Sequence, residues 1–269
     1  MKTHLTLIAA TILTVLTSTV QSQAQTPENA VHEALVGDAL LNNEGYRLLE
    51  TITTRHGPRL AGTEGNTRSM ELLERELNLL GIETRRESFT IPGWTRLSDR
   101  VTLVSPLERP LRVAALGYVD RHDPLEAGLA FVESSDLDQL DSEFLRGKVA
   151  LVAPNIRYSQ DNYQRLAEEF GALGVLLINR VNGGQLLARV ANHDGDTPPL
   201  PIYSITHEEG RWMQLQLEDG MDVRVRLETP SKSSELTVEN LVATQPGASD
   251  QKVNVGGTID TRDLGQCAM

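Results

Sequence analysis

Apolar residues recur at helical spacing from Ala30 to Leu60, at Val31, Leu35, Leu40, Leu41, Leu48, Leu49 and Ile52, and the run stops at Gly57-Pro58. A second helix is expected after Gly62-Thr63, with Met70, Leu73, Leu77 and Leu80 on one face and Gly81 just past its end. Ile82 to Ile91 and Arg100 to Val104 read as strands, separated by Pro92-Gly93 and a loop carrying Trp94. From Leu111 the chain reads as a separate unit of short, largely apolar strand candidates. These are Leu111–Leu116, Gly128–Val132, Lys148–Val152, Gly174–Ile178, Ile202–Ile205 and Val223–Leu227. Helices are expected near Tyr163 to Leu173 and from about Glu208 to Leu217. Leu236 to Ala243 reads as a strand, and Val253–Val255 as a short, buried-type strand that turns through Gly256-Gly257 into an acidic loop. Strands alternating with helices predict an α/β fold.

Composition changes this picture little. The chain has 269 residues, 39% hydrophobic and 23% charged, as suits a globular protein of one or two domains. Its formal charge of −12 argues against nucleic acid and anionic membrane as partners, since both demand a basic face. The first residues carry a targeting pattern: Lys2, an apolar stretch from Leu5 to Leu16, and small residues at Ser22-Gln23-Ala24. A cleaved signal peptide over residues 1–24 is therefore expected, with a secreted or periplasmic product. The apolar stretch is short for a membrane span. Cys267 is the single cysteine, so no internal disulfide is expected.

Three phrases carry a family resemblance. They are Gly57-Pro58-Arg59-Leu60-Ala61-Gly62-Thr63, Pro92-Gly93-Trp94-Thr95-Arg96, and Gly257-Thr258-Ile259-Asp260-Thr261-Arg262-Asp263-Leu264-Gly265-Gln266-Cys267-Ala268-Met269. Asn240-Leu241-Val242-Ala243 lies between the second and third. In this order they resemble the amino-terminal part of the zinc exopeptidases typified by carboxypeptidase Q. The stretch Glu168 to Ile178 and the phrase Pro201-Ile202-Tyr203-Ser204-Ile205 resemble the protease-associated domain that this family carries as an insertion.

The resemblance implies an incomplete zinc-exopeptidase α/β sandwich over residues 30–110 and 231–269, with a protease-associated α/β domain inserted at 111–228. It also implies a two-zinc site in the family, built from imidazole and carboxylate ligands with a Glu to take a proton from water. Thr258 stands at the position of the family's first His ligand, and zinc seldom uses a neutral hydroxyl. Asp260 is kept; in the family it orients a ligand rather than binding metal. Arg262 replaces a Trp and Cys267 a Gly. The remaining ligands and the catalytic Glu would follow Met269.

The expectation is therefore a truncated or degenerate zinc metallopeptidase, inactive as this chain alone, with no cofactor of its own. The alternative is an exported, non-catalytic binding module built on the protease-associated domain. Peptides or a protein partner would bind there, and a homodimer or a complementing chain is a further option. Other constellations are weak. The histidines His4, His32, His56, His122, His193 and His207 form no His-Glu-x-x-His. His193-Asp194-Gly195-Asp196 reads as a solvated turn before it reads as a cation loop. Cys267, beside an acidic loop and without a base, does not read as a nucleophile.

Overall fold

The computed structural model describes residues 27–186 and 189–261, which divide between Thr51 and Ile52 into two compact units. The first unit is a pair of helices, α1 (Pro27–Leu41) and α2 (Glu44–Thr51). The helical region expected from Ala30 to Leu60 is interrupted here. Asn43 takes φ 42°, a left-handed conformation that asparagine tolerates better than most residues. The expected signal peptide lies outside the described residues, and none of the described helices is long and apolar enough to cross a membrane.

The second unit opens with a π-helical turn, Ile52–His56. Gly57, at φ +65°, and Pro58 end it, the first by conformation and the second by its missing N–H. Helix α3 (Glu64–Leu79) follows, its first turn capped by Thr63, whose hydroxyl accepts from the Asn66 amide. Its start sits hard against the preceding turn. A Cβ on Gly65 would lie 2.1 Å from the Pro58 carbonyl oxygen, so only glycine fits.

Strands β1 (Glu83–Thr95) and β10 (Lys232–Thr244) pair antiparallel along their whole length as a two-stranded ribbon. Helix α3 is tied to both. The Arg86 guanidinium reaches the Glu74 carboxylate at 2.6 Å and Glu239 at 2.9 Å. β1 is longer than the expected Ile82–Ile91, because Pro92, Gly93 and Trp94 continue the ladder.

Between the two halves of the ribbon lies an eight-stranded mixed sheet, in the order β3-β2-β9-β5-β6-β7-β8-β4. The strands are β2 (Arg100–Ser105), β3 (Arg109–Pro110), β4 (Val113–Ala115), β5 (His122–Val132), β6 (Val149–Val152), β7 (Gly174–Ile178), β8 (Ile202–Ile205) and β9 (Arg224–Thr229). β5 to β8 run parallel, and β2, β3, β4 and β9 pair antiparallel. The sheet begins before Leu111, because β2 lies against β9. Strict alternation splits the apolar runs between two faces. Ala150, Val152, Val175 and Leu177 meet Tyr163 and Leu166 of α4 (Gln160–Glu168) on one face. Val149, Leu151, Leu176 and Ile178 meet Met213 of α5 (His207–Glu218) on the other. Ser159 and Asn162 form a capping box that starts α4, and Thr206 caps α5.

The expected strand Val253–Val255 does not form. Val253 and Val255 are 90% and 94% exposed, in chain without a ladder partner. A strand exists only as a member of a ladder, and after Thr244 the loop through Pro246-Gly247 carries the chain clear of the ribbon.

Candidate functional site

A recess of about 700 Å³ opens in the second unit. The Pro58–Gly65 turn and the start of α3 form one wall, and the end of β1 from Ile91 with the two residues after it, Arg96 and Leu97, forms another. Gly117, Tyr118, Arg189 and Val190 close the sheet side, and Asp260 stands at the rim. Trp94 supplies the floor. Its ring is buried, and its Nε1–H donates to the Val119 carbonyl at 2.8 Å, which fixes the ring plane. The Arg96 guanidinium lies 4.9 Å over that ring and donates to the Ala115 carbonyl at 2.7 Å.

Arg59 holds the terminal segment in place. It is fully buried; Nε donates to the Ile259 carbonyl at 2.9 Å and Nη1 to those of Gly57 at 2.6 Å and Ile52 at 3.4 Å, while Nη2 is buried without a hydrogen-bond partner among the described residues. Its backbone closes the contact, since the Thr261 amide donates to the Arg59 carbonyl at 3.3 Å. Burial pulls the guanidinium down from its usual range, and the nearby Asp260 carboxylate draws it back up. Asp260 is thereby presented, exposed, at the recess. Thr258 is exposed on the same segment and does not line it.

Among the described residues, His56 is the histidine that lines the recess. Its Nδ1 lies 2.9 Å from the Ser69 hydroxyl, which is itself 2.8 Å from the Gly65 carbonyl. A hydroxyl has one proton, and the carbonyl must receive it. Nδ1 therefore carries a hydrogen and donates to Ser69, which leaves Nε2 with its lone pair. Burial first, then Arg68, Arg59, Arg55 and Arg75, hold His56 below its ordinary value and favour the neutral ring.

A dication does not fit this donor set. Arg68, Arg96 and Arg189 face the recess against Glu64 and Asp260 alone, and Thr258 offers only a neutral hydroxyl. No cluster of three His, Cys, Asp or Glu side chains that could hold a metal occurs among the described residues. His193, Asp194 and Asp196 are exposed on a turn where the Asn192 side chain accepts from the Asp194 amide. Arg262, Asp263 and Cys267 lie outside the described residues. Sequence reasoning missed His56, Ser69 and the buried role of Arg59. An arginine inside a Gly/Pro turn with no acid nearby was the available cue.

An α/β architecture with a ribbon, a mixed sheet and a recess at their junction defines a peptidase-type fold. A peptidase M28 precursor from Shewanella amazonensis SB2B matches it with a TM-score of 0.65 and 26% identity, over 80% of this chain and 53% of that one. The zinc aminopeptidase BSAP from Bacillus subtilis matches the fold with a TM-score of 0.58 at 21% identity, over 75% of this chain and 46% of its own. Human carboxypeptidase Q is 26% identical over 253 residues, 89% of this chain and 53% of that protein. Aminopeptidase YwaD of Bacillus subtilis (strain 168) is 27% identical over 231 residues, 81% of this chain and 47% of its own. No family model matches. The chain is thus similar to zinc exopeptidases of the carboxypeptidase Q type, and it spans about half the length of the curated relatives it matches.

Proposed function

We propose that this chain is a catalytically silent zinc-exopeptidase homologue that binds peptide or protein ligands instead of hydrolysing them. The observation that carries the reading is Thr258 at the family's His position, beside a recess whose charged groups are mostly arginine. A hydrolytic zinc needs three protein ligands and a bound water, and neither a threonine hydroxyl nor a guanidinium supplies them. Asp260 keeps the position of a residue that orients a ligand, with no imidazole next to it to orient. The unit over residues 111–228 serves in this reading as the protease-associated domain. A leader over residues 1–24 would export the chain to the periplasm or outside the cell. Most of the core on both faces of the eight-stranded sheet comes from residues 111–228, joined by Trp94, Val101 and Leu103, and this favours a binding role for that unit.

Zinc analysis and dipeptide hydrolysis on the purified chain test the proposal. The expected result is less than one tightly held zinc per chain after dialysis, and no hydrolysis that a chelator abolishes. Thr258→His alone should restore neither, because one imidazole cannot hold a hydrolytic metal. Stoichiometric zinc with chelator-sensitive turnover would overturn the reading.

A further inference from the structure

We propose that two copies of this chain associate through the outer edge of β1, strand against strand, across a two-fold axis at Arg86. β10 occupies one edge of β1, and among the described residues no strand takes the other. Such an edge carries N–H and C=O groups outside any ladder, and a strand from another chain can answer them. The charge order Arg85-Arg86-Glu87 selects a second copy as that strand. In an antiparallel pair made by a two-fold axis, residues equally far from the axis stand opposite each other on one face. With the axis at Arg86, Arg85 of each copy stands opposite Glu87 of the other, so the attraction is made twice.

The surroundings fit this register. Arg86 binds Glu74 of α3, so strand alternation puts Arg85 and Glu87 on the face away from that helix. Their side chains are 59% and 51% exposed and meet at 2.6 Å within one chain, a contact that the second copy extends into an alternating row of charges. Arg86 faces its own counterpart at the axis, but Glu74 at 2.6 Å and Glu239 at 2.9 Å already balance it. Thr84 and Ser88 form the next opposed pair, both small enough for a close ladder. Neighbouring registers set like charges against each other. An axis at Arg85 opposes Glu83 to Glu87, and an axis at Glu87 opposes that residue to itself. Bulk is no obstacle at the axis. The two α3 helices come to lie two strand spacings apart, about 9.6 Å, an ordinary distance between packed helices. Each chain leaves for its eight-stranded sheet at Thr95, about 30 Å along β1 from the axis and in opposite directions.

Sedimentation equilibrium on the whole purified chain, from about 1 to 200 μM, tests the assignment. The expected result is a reversible monomer–dimer equilibrium that weakens as salt is raised. Arg85→Glu and Glu87→Arg, each at an exposed position, should each weaken the dimer at least about tenfold, because every substitution acts twice and turns attraction into repulsion. Mixed in equal amounts, the two variants should pair with each other, since each then meets the opposite charge in its partner. The double exchange, Arg85→Glu with Glu87→Arg, keeps the pair within the strand and should dimerise about as tightly as the unaltered chain. A chain that stays monomeric throughout, single variants that dimerise unchanged, or a mixture or double exchange that stays apart would overturn the proposal.

Discussion

Arg59 shows what one residue does for this site. Its guanidinium bridges the carbonyls of Ile52, Gly57 and Ile259, two turns far apart in sequence, with no solvent in reach. Arg59→Met would keep the stem and leave those carbonyls without donors. The expected cost is about 2–4 kcal/mol in denaturant unfolding, together with faster proteolysis near Ile259. The histidines set the acid side of the stability profile. His56 and His122 both have folded values lowered from 6.5, His56 by burial and neighbouring arginines, and His122 by burial against the opposing pull of Asp120 and Asp123. The folded state disfavours their charged forms, so their contribution is fully present above pH 6.5 and is lost as pH falls through the depressed values. Asp99, pushed up from 3.8 by burial despite its bonds from Ser231, acts in the opposite sense at more acidic pH. Urea midpoints between pH 7.5 and 5 should therefore fall, and fall less in His122→Gln.

Elements obey the pattern where burial dictates them. β7 and β8 have the bounds expected from sequence, Gly174–Ile178 and Ile202–Ile205, because a wholly buried parallel strand is filled mostly by apolar side chains, Ser204 being the buried exception. The ribbon was less legible. β1 runs through Pro92 and Gly93, residues that read as a break, because one strand edge is open and Leu236 fills the space a side chain would take. A Cβ on Gly93 would come within 2.2 Å of Leu236 Cγ. Gly93→Ala is expected to destabilise the chain by about 1–3 kcal/mol, and Leu236→Ala to relieve most of that in a double-mutant cycle. The valines at 253 and 255 mislead for the opposite reason: their composition is that of a strand, but pairing is a property of neighbours and not of the segment. The recess was legible only in part. The phrases that line it stand out in the sequence, but its arginines and the Ser69–His56 contact depend on distances that no local pattern encodes.

For the whole molecule, the distribution of buried side chains predicts unequal resistance to unfolding. Two large clusters flank the eight-stranded sheet, while the ribbon leans on α3 and keeps Phe89 43% exposed. Limited proteolysis with mass spectrometry should leave a core close to Arg100–Thr229 and cut first in the exposed stretch from Gln245 to Gly257. Uniform resistance from Ile52 to Thr261 would count against this division.

The ribbon has one more consequence. Thr95 and Lys232 are direct partners across it, so the chain leaves for the sheet and returns from it at points one strand spacing apart. A segment whose two ends meet in this way can be removed with little effect on what it was set into. Joining Thr95 to Lys232 through Asn-Gly would turn the ribbon into an ordinary hairpin in the same register. Conversely, the sheet could be transplanted as a cassette into any surface hairpin that offers the same spacing. The loop-closure entropy of holding its ends together rises only with the logarithm of its length, so so large a guest burdens its host hardly more than a short one. Seen this way, β1 and β10 are the frame that brings the two ends of the sheet segment together.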